Sequence, residues 1–342
     1  MTRRRYLGIS AAAMVGCSAR ARAAGGAEAV AEFMEKFGVP GLSIAIAKDG
    51  QIVRREAFGY SDLDKGEKLN SAHRFRIASV SKPITSTAVF LLRDSGKLDL
   101  DDMVFGSDGA LGRPGPGGIT VRHLLTHTSG AWENDSRDPM FKRVELDHAA
   151  LIDWTLENLP PKNAPGQKYA YSNFGYCLLG RIIEKLSGRS YGAFVREKVL
   201  KPRGAQGMEI GSGEREVRYY MNGKPLASKM NVARMDAHGG WVGTPGEMIE
   251  FALGVDGFAE PADLLKKESL EEMTARGGVN ENYACGWSVN KVGNYWHGGS
   301  LPGLSSLLVR TAGGYCWAAC ANTRARGIGL ALDRLMWKLS RA

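Results

Sequence analysis

The pattern of apolar and polar residues predicts a helix and a β-hairpin near the start of the chain. Residues 27–37 alternate with helical period, and Leu42–Ala47 is an apolar run with the character of a strand. Asp49 and Gly50 form a two-residue turn signal, after which Ile52–Tyr60 is predicted to return as the second strand.

The middle of the chain is predicted to be mainly helical, and its end to be strand-rich. A helical pattern covers Ser79–Arg93, the Gly- and Pro-rich residues 106–118 are interpreted as a loop, and helical patterns continue over residues 121–253. Strand patterns then return, followed by an amphipathic helix; these segments are Cys285–Val289, Tyr295–Trp296, Ser306–Arg310, Tyr315–Ala321 and the helix Ala325–Leu339.

These elements predict an α+β fold. Strands from both chain ends are expected to form one antiparallel sheet flanked by helices, with a mainly helical subregion of about residues 106–254 inserted between them. The whole is expected to be one domain over residues 25–342, because neither a long linker nor an internal repeat interrupts the pattern.

Residues 1–24 are predicted to be an export signal. Residues 2–7 resemble the twin-arginine pattern, the short apolar stretch 8–16 follows, and residues 21–23 offer a small-x-small cleavage site. We therefore expect export to a periplasmic or extracellular location. A lipid anchor on Cys17 and a disordered basic N-terminus are the alternatives.

The charge and hydropathy of the chain predict neither a nucleic-acid partner nor a membrane-spanning segment. The net charge is +9, but five arginines fall in residues 1–24, which contain no acid, and no dense basic run occurs elsewhere. We therefore expect no nucleic-acid partner. We also expect no membrane span, because no other run of about 18 apolar residues occurs.

Neither a metal nor another cofactor is expected. His123 and His127 are four residues apart, but the Glu of a H-E-x-x-H motif and a third ligand are missing. Cys316 and Cys320 lie in one predicted strand, about 13 Å apart and too far for a mutual disulfide. The cysteines beyond Cys17 are expected to pack as small apolar residues, although export leaves another disulfide open.

Three short motifs in order carry the candidate chemistry. Ser79 and Lys82 are one helical turn apart, which puts a hydroxyl nucleophile beside an amine base. The second motif is Tyr171-Ser172-Asn173 and the third is His297-Gly298-Gly299-Ser300. A serine needs an adjacent base, and Lys82 can act as one only if burial or neighbouring cations lower its pKa. Tyr171 could relay protons if Lys82 lowered the pKa of its phenol.

With their flanks, these motifs resemble the serine β-lactamase and penicillin-binding-protein-like superfamily. The similarity covers roughly residues 28–339, includes Leu124–Gly130 and Gly239–Pro245, and is greatest to class C β-lactamases, D-stereospecific peptidases and β-lactamase-fold esterases. It implies the β-lactamase/transpeptidase-like fold and an acyl-enzyme mechanism.

The resemblance also implies a role for each motif residue. Ser79 would be the nucleophile, and Lys82 and Tyr171 would move protons, with the formal base left open between them. The N–H groups of Ser79 and Ser300 would form the oxyanion hole. The remaining motif residues would bind substrate: Asn173, His297, Gly298 and Gly299.

His297 is a departure from the family pattern. β-Lactamases of this branch usually have Lys-Thr-Gly where this chain has His297-Gly298-Gly299, and the lysine helps to bind a substrate carboxylate. A histidine is mostly neutral at pH 7, so carboxylate anchoring should be weaker, unless Arg324 or Arg326 supplies the cation.

We therefore expect an exported serine hydrolase acting on small non-β-lactam esters or amides, as an esterase or a peptidase/amidase. The first alternative is a class C-like β-lactamase or D,D-carboxypeptidase that takes β-lactams or cell-wall peptides. The second is a penicillin-binding receptor with slow turnover.

Overall fold

The computed structural model describes residues 26–226 and 230–341. The predicted export signal over residues 1–24 and the candidate lipid anchor at Cys17 lie outside the described residues, and both stay predictions. No helix in the part that is described is long and apolar enough to cross a membrane.

Twelve strands are assigned within the described residues. In chain order they are β1 (Gly41–Lys48), β2 (Gln51–Asp62), β3 (Glu67–Lys68), β4 (Phe75–Arg76), β5 (Glu209–Ile210), β6 (Tyr220–Met221), β7 (Lys224–Pro225), β8 (Trp241–Gly243), β9 (Ser288–Val289), β10 (Tyr295–Leu301), β11 (Leu304–Arg310) and β12 (Tyr315–Ala321).

Helices precede, separate and follow these strands. The α-helices are α1 (residues 26–37), α2 (Ser81–Asp94), α3 (Val121–Leu125), α4 (Pro139–Lys142), α5 (His148–Asn158), α6 (Asn173–Ser187), α7 (Tyr191–Val195), α8 (Asp236–Gly239), α9 (Pro245–Ala252), α10 (Lys267–Thr274) and α11 (Ile328–Leu339).

Seven strands form one antiparallel sheet in the order β3-β2-β1-β12-β11-β10-β9. The first hairpin and the last three long strands meet where β1 pairs with β12, so both chain ends build the sheet as predicted. This arrangement confirms the predicted α+β fold with its sheet from both termini.

The two faces of the sheet bury different helices. Alternate β1 residues Leu42, Ile44 and Ile46 pack with α1 and α11, whereas Ala45 and Ala47 join the larger core that contains α2, α6 and α9. The period of two in a strand places successive side chains on opposite faces. Both faces are therefore covered, which explains why β1 is apolar almost throughout.

Several boundaries differ from the sequence-based prediction. The helix predicted from Ser79 begins at Ser81, because residues 78–80 form a 3₁₀ turn. β10 extends to Leu301, beyond the predicted Trp296, although glycines 298 and 299 weaken the strand signal. The small sheet β4-β8-β5 was missed, since strands of two or three residues show no alternation.

The described cysteines are free and buried, as expected for small apolar residues. Cys320 donates to the sulfur of Met248 over 3.7 Å. The described part of the chain therefore has no disulfide, and its stability rests on packing.

We predict that Leu332→Ala in α11 lowers the free energy of unfolding by about 2–5 kcal/mol, because this side chain is fully buried against the sheet. Thermal or urea unfolding measures the loss. Leu330→Ala on the same helix is the control, since Leu330 is 61% exposed and its truncation should cost no more than about 0.5 kcal/mol. Equal losses in both variants would contradict the predicted packing.

Candidate active site

Ser79 lies in a short 3₁₀ turn that connects β4 to α2. The residue before this turn is bonded to the small sheet β4-β8-β5 and to the large seven-stranded sheet. The N–H of Ile77, two residues earlier, donates to the carbonyl of Trp241 in the small sheet over 2.9 Å. The carbonyl of Ile77 accepts a hydrogen bond of 2.8 Å from Oγ of Ser306 in the large sheet. Ile77 is therefore bonded to both of these sheets just before the turn, and Ser79 itself is half-buried.

Strand β10 lies directly against this turn. A Cβ on Gly299 would come within 2.3 Å of the Ile77 carbonyl and 3.1 Å of the Ala78 Cβ, so only glycine permits this approach. Ala78 has a φ of 47°, an uncommon left-handed conformation for a residue with a side chain. The backbone of Gly299 and Ser300 consequently borders the nucleophile turn, where Ser300 was predicted to supply an oxyanion N–H.

Lys82 is fully buried in the first turn of α2. Its Nζ donates to Oδ1 of Asn173 at 2.8 Å and to the carbonyl of His238 at 2.9 Å. The Oγ of Ser79 lies 3.4 Å from the same nitrogen. Burial lowers the pKa of Lys82 well below its ordinary value, with a smaller opposing effect of Asp138. The condition that the sequence set for a lysine base is thus met.

Tyr171 lies on the other side of the amine. The centre of its ring is 4.6 Å from Nζ of Lys82. Burial raises the pKa of the Tyr171 phenol, and a hydrogen bond with the Ser79 side chain opposes the rise only in part. A phenol pKa lowered by Lys82 was the condition that the sequence set for a relay through Tyr171; in the structure burial raises this pKa instead.

Asn173 begins α6 and is 3% exposed. Its Nδ2 donates to Oδ2 of Asp138 over 2.8 Å, while its Oδ1 accepts from Lys82. Sequence reasoning missed Asp138. The available signal was the Asp-Pro pair of Asp138 and Pro139, which marks a helix N-cap followed by a first-turn proline.

A directional chain of hydrogen bonds passes through His127, Tyr283 and His297. The N–H of Ser172 donates to Nδ1 of His127, which leaves the ring proton on Nε2. That Nε2 donates to the hydroxyl of Tyr283 over 3.1 Å, and the hydroxyl donates to Nε2 of His297 over 3.1 Å. The Nδ1–H of His297 then donates to the carbonyl of Gly298 over 2.8 Å.

This chain uses both ring nitrogens of His297. Burial lowers the pKa of His297 to about 3, with a further contribution from the charge of Lys82. Burial also lowers the pKa of His127 well below its ordinary value. His297 therefore offers a ligand neither a charge nor an unused N–H in this arrangement, and its predicted contact with substrate stays a prediction.

The two histidines weighed as a metal pair have separate hydrogen-bonding partners. Nδ1 of His123 accepts from the N–H of Thr120 at 3.1 Å, in the capping box of α3. His127 bonds Ser172 and Tyr283 instead. Neither His127 nor Tyr283 was predicted for the site. His127 lies in the family-like segment Leu124–Gly130.

A groove of about 1110 Å³ opens on the outer face of β10 and β11 beside α11. It begins at Gly298–Ser300, and Arg324 and Arg326 line it together with Trp296. Both arginines are exposed, and neither forms an ion pair within the described residues. Asp333 also lines the groove, and burial raises the pKa of its carboxyl.

The fold, and the cluster of Ser79, Lys82, Tyr171 and Asn173, are typical of serine β-lactamase-fold hydrolases. A family model described as Beta-lactamase matches residues 27–339, and the chain therefore belongs to the beta-lactamase family. Penicillin-binding protein 4* of Bacillus subtilis is 29% identical over 302 residues, which cover 78% of this chain and 64% of that protein. The chain thus spans less than two thirds of the length of this curated relative.

Solved structures agree on the fold. D-amino acid amidase from Ochrobactrum anthropi SV3, complexed with L-phenylalanine amide, aligns with a TM-score of 0.75 and 25% identity, over 92% of this chain and 97% of the amidase. EstCE1, described as a hydrolase with promiscuous acyltransferase activity, aligns with a TM-score of 0.79 and 18% identity, over 94% and 99%.

We predict that Gly299→Ala lowers the free energy of unfolding by about 1–3 kcal/mol, because the new methyl group meets the Ile77 carbonyl. Gly298→Ala is the control, since its Cβ would have no neighbour nearer than 3.9 Å. Thermal unfolding of both variants measures the difference. If Gly299→Ala were as stable as Gly298→Ala, β10 would not lie as close to the nucleophile turn as the structure describes.

Proposed function

We propose that this protein is an exported serine hydrolase that cleaves esters or amides through an acyl-enzyme on Ser79. The observation that carries the proposal is the placement of Nζ of Lys82. A neutral amine has two N–H bonds and one lone pair, and the oxygens of Asn173 and His238 accept the two N–H bonds. Oγ of Ser79 lies 3.4 Å from the same nitrogen, so the lone pair of the neutral amine is available to accept the serine proton. Export rests on the twin-arginine-like pattern of residues 1–24 alone.

Each proton and bond of the proposed reaction has a defined place. Oγ of Ser79 attacks the carbonyl carbon while its proton passes to Nζ of Lys82. The resulting oxyanion is held by the N–H groups of Ser79 and Ser300, each typically worth about 3–4 kcal/mol to the transition state. Tyr171 delivers a proton to the leaving alkoxide or amine, and is reprotonated from Lys82. Water then attacks the acyl-enzyme by the same steps in reverse order.

The pKa directions support Lys82 as the base of the free enzyme. Burial favours its neutral amine, whereas burial keeps the Tyr171 phenol protonated. A protonated phenol beside the leaving group suits a proton relay. The two groups share protons during turnover, so an observed titration belongs to the pair.

Substrates without a carboxylate fit the neutral His297 best. A cation at this position would attract a substrate carboxylate, but the pKa of His297 is lowered to about 3, so it is uncharged at neutral pH. The similarity to a D-amino acid amidase, solved with L-phenylalanine amide, supports an amide as one such substrate. We therefore favour an esterase or amidase over a β-lactamase.

A second candidate rests on Arg324 and Arg326. Among residues 26–226 and 230–341 these cations form no ion pair, and they line the groove that also contains Gly298–Ser300, so they could attract the carboxylate of a β-lactam or of a D,D-peptide. The similarity to a penicillin-binding protein favours this class, including a receptor that acylates but releases its product slowly.

We predict that Ser79→Ala abolishes hydrolysis of a nitrophenyl ester and labelling by a fluorophosphonate, because the acylated oxygen is removed. Ser81→Ala is the matched control from the same motif, since Oγ of Ser81 accepts only the N–H of Trp241 and should not be acylated. Intact-mass spectrometry identifies the labelled protein. Turnover that persisted in Ser79→Ala would overturn the proposed mechanism.

A substrate panel separates the two candidates. We predict that wild-type enzyme hydrolyses a nitrophenyl ester and a D-amino acid amide faster than a chromogenic cephalosporin or a D-Ala-D-Ala peptide. Replacing Arg324 and Arg326 together by alanine should leave the neutral ester unaffected. If the cephalosporin were the best substrate and the double variant raised its KM about tenfold, the second candidate would be correct. A burst followed by stalling would indicate the receptor.

A further inference from the structure

Asp138 is a buried carboxylate without a direct cationic partner. It is 1% exposed, yet no Lys, Arg or His side chain forms an ion pair with it within the described residues. A buried carboxylate is costly unless hydrogen bonds compensate it. Oδ1 of Asp138 accepts the N–H of Met140, and Oδ2 accepts Nδ2 of Asn173. Both oxygens are therefore used by donors.

The helix cap alone does not require an acid. Asp138 is the N-cap of α4, where Ser, Thr or Asn could accept the N–H of Met140 equally well. The second oxygen is different, because it contacts the side-chain amide of Asn173. An ionised carboxylate only accepts hydrogen bonds, so it requires Nδ2 of Asn173 to face it and Oδ1 to face the other way.

On that other side lies Lys82. Oδ1 of Asn173 accepts an N–H of Lys82 at 2.8 Å, and an amide turned by 180° would present N–H groups to the amine instead. We propose that Asp138 is the positioning residue that fixes the amide of Asn173 and, through it, the orientation and charge of Lys82. This proposal rests on the proposed function, because it assigns Asp138 a part in preparing the base.

The charges around Asp138 support this coupling. Burial raises the pKa of Asp138 to about 6, and the hydrogen bonds from Asn173 and Met140 oppose the rise. The other groups that interact with its charge are Lys82, Asp135, Arg234 and Tyr171. Asp135 is exposed, and the Arg234 guanidinium bonds the Met140 carbonyl over 2.5 Å, which holds α4 in place.

The sign of the effect on Lys82 follows. The negative charge of Asp138 raises the pKa of Lys82 against the larger lowering by burial. Asp138→Asn removes that charge, and its single oxygen remains needed for the cap. We expect the Lys82 amine to titrate at lower pH, the amide of Asn173 to turn, and kcat/KM for the nitrophenyl ester to fall about tenfold or more.

A swapped pair tests the same coupling in the opposite direction. In the double variant Asp138→Asn with Asn173→Asp, residue 138 donates to residue 173, and a carboxylate oxygen faces Lys82 directly. The hydrogen bonds that connect Met140, residue 138, residue 173 and Lys82 can all re-form, so this variant should fold even if Asp138→Asn alone does not. Its lysine should titrate at a higher pH than in wild type, because the charge has moved next to the amine.

The experiment follows the Lys82 amine by NMR of lysine labelled with ¹³C at Cε, assigned by its absence in Lys82→Met. Asp147→Asn is the matched control, since Asp147 caps the next helix, α5, through Ala150 and does not contact Asn173. The proposal expects a downward shift in Asp138→Asn, an upward shift in the swapped pair and none in Asp147→Asn. Unchanged titration in the first two variants would overturn it.

A parallel measurement keeps the two proposals distinguishable. Fluorophosphonate labelling of Ser79 in wild type reports the proposed function, whereas the NMR titration of Lys82 does not depend on turnover. If wild type were not labelled, but Asp138→Asn and the swapped pair shifted the Lys82 titration in opposite directions, the proposed function would be overturned and the coupling supported. Labelling with unchanged NMR titrations would support the function and reduce Asp138 to a helix cap.

Discussion

The burial of the Lys82 amine is the constraint on which the site depends. An amine withdrawn from water must find acceptors in the protein, and here they come from the start of α6 and from the backbone of α8. Because Asn173 and His238 are 65 residues apart in sequence, α2, α6 and α8 must pack around one nitrogen to satisfy it. The same packing places that nitrogen 3.4 Å from Oγ of Ser79. Under the proposed mechanism, the packing of the helical region would therefore also activate the serine.

The neutral chain from His127 to His297 follows from the same burial. Two imidazoles beside a buried lysine would repel its charge if they were protonated, and desolvation lowers the pKa of both. The Ser172 N–H and the Gly298 carbonyl fix one tautomer for each neutral ring, and Tyr283 connects the two rings. With both histidines neutral, the buried charges that remain beside them are those of Lys82 and Asp138. The amide of Asn173 connects these two groups.

The sequence was sufficient to predict the sheet from both chain ends and the three motifs that the structure brings together. Ser79 and Lys82 are close in the chain, so helical spacing alone places them side by side. Asp138 and Tyr283 could not be found in this way, because Asp138 is 35 residues from Asn173 and Tyr283 is 156 residues from His127, and only tertiary packing joins them. The raised pKa of the Tyr171 phenol could not be predicted for a related reason, since burial depends on packing that a motif does not encode.

The neutrality of His297 also determines how any anionic substrate would be recognised. A buried lysine at that position would act through a weakly screened charge, whereas the exposed Arg324 and Arg326 act through solvent, where such a pair is typically worth about 0–1 kcal/mol. The groove that these arginines line lies on the α11 side of the sheet, and Ser79, Lys82 and Tyr171 are not among its lining residues. Two exposed arginines would therefore compensate only weakly for a charge that His297 does not carry, which is the physical basis of the proposed preference for uncharged esters and amides.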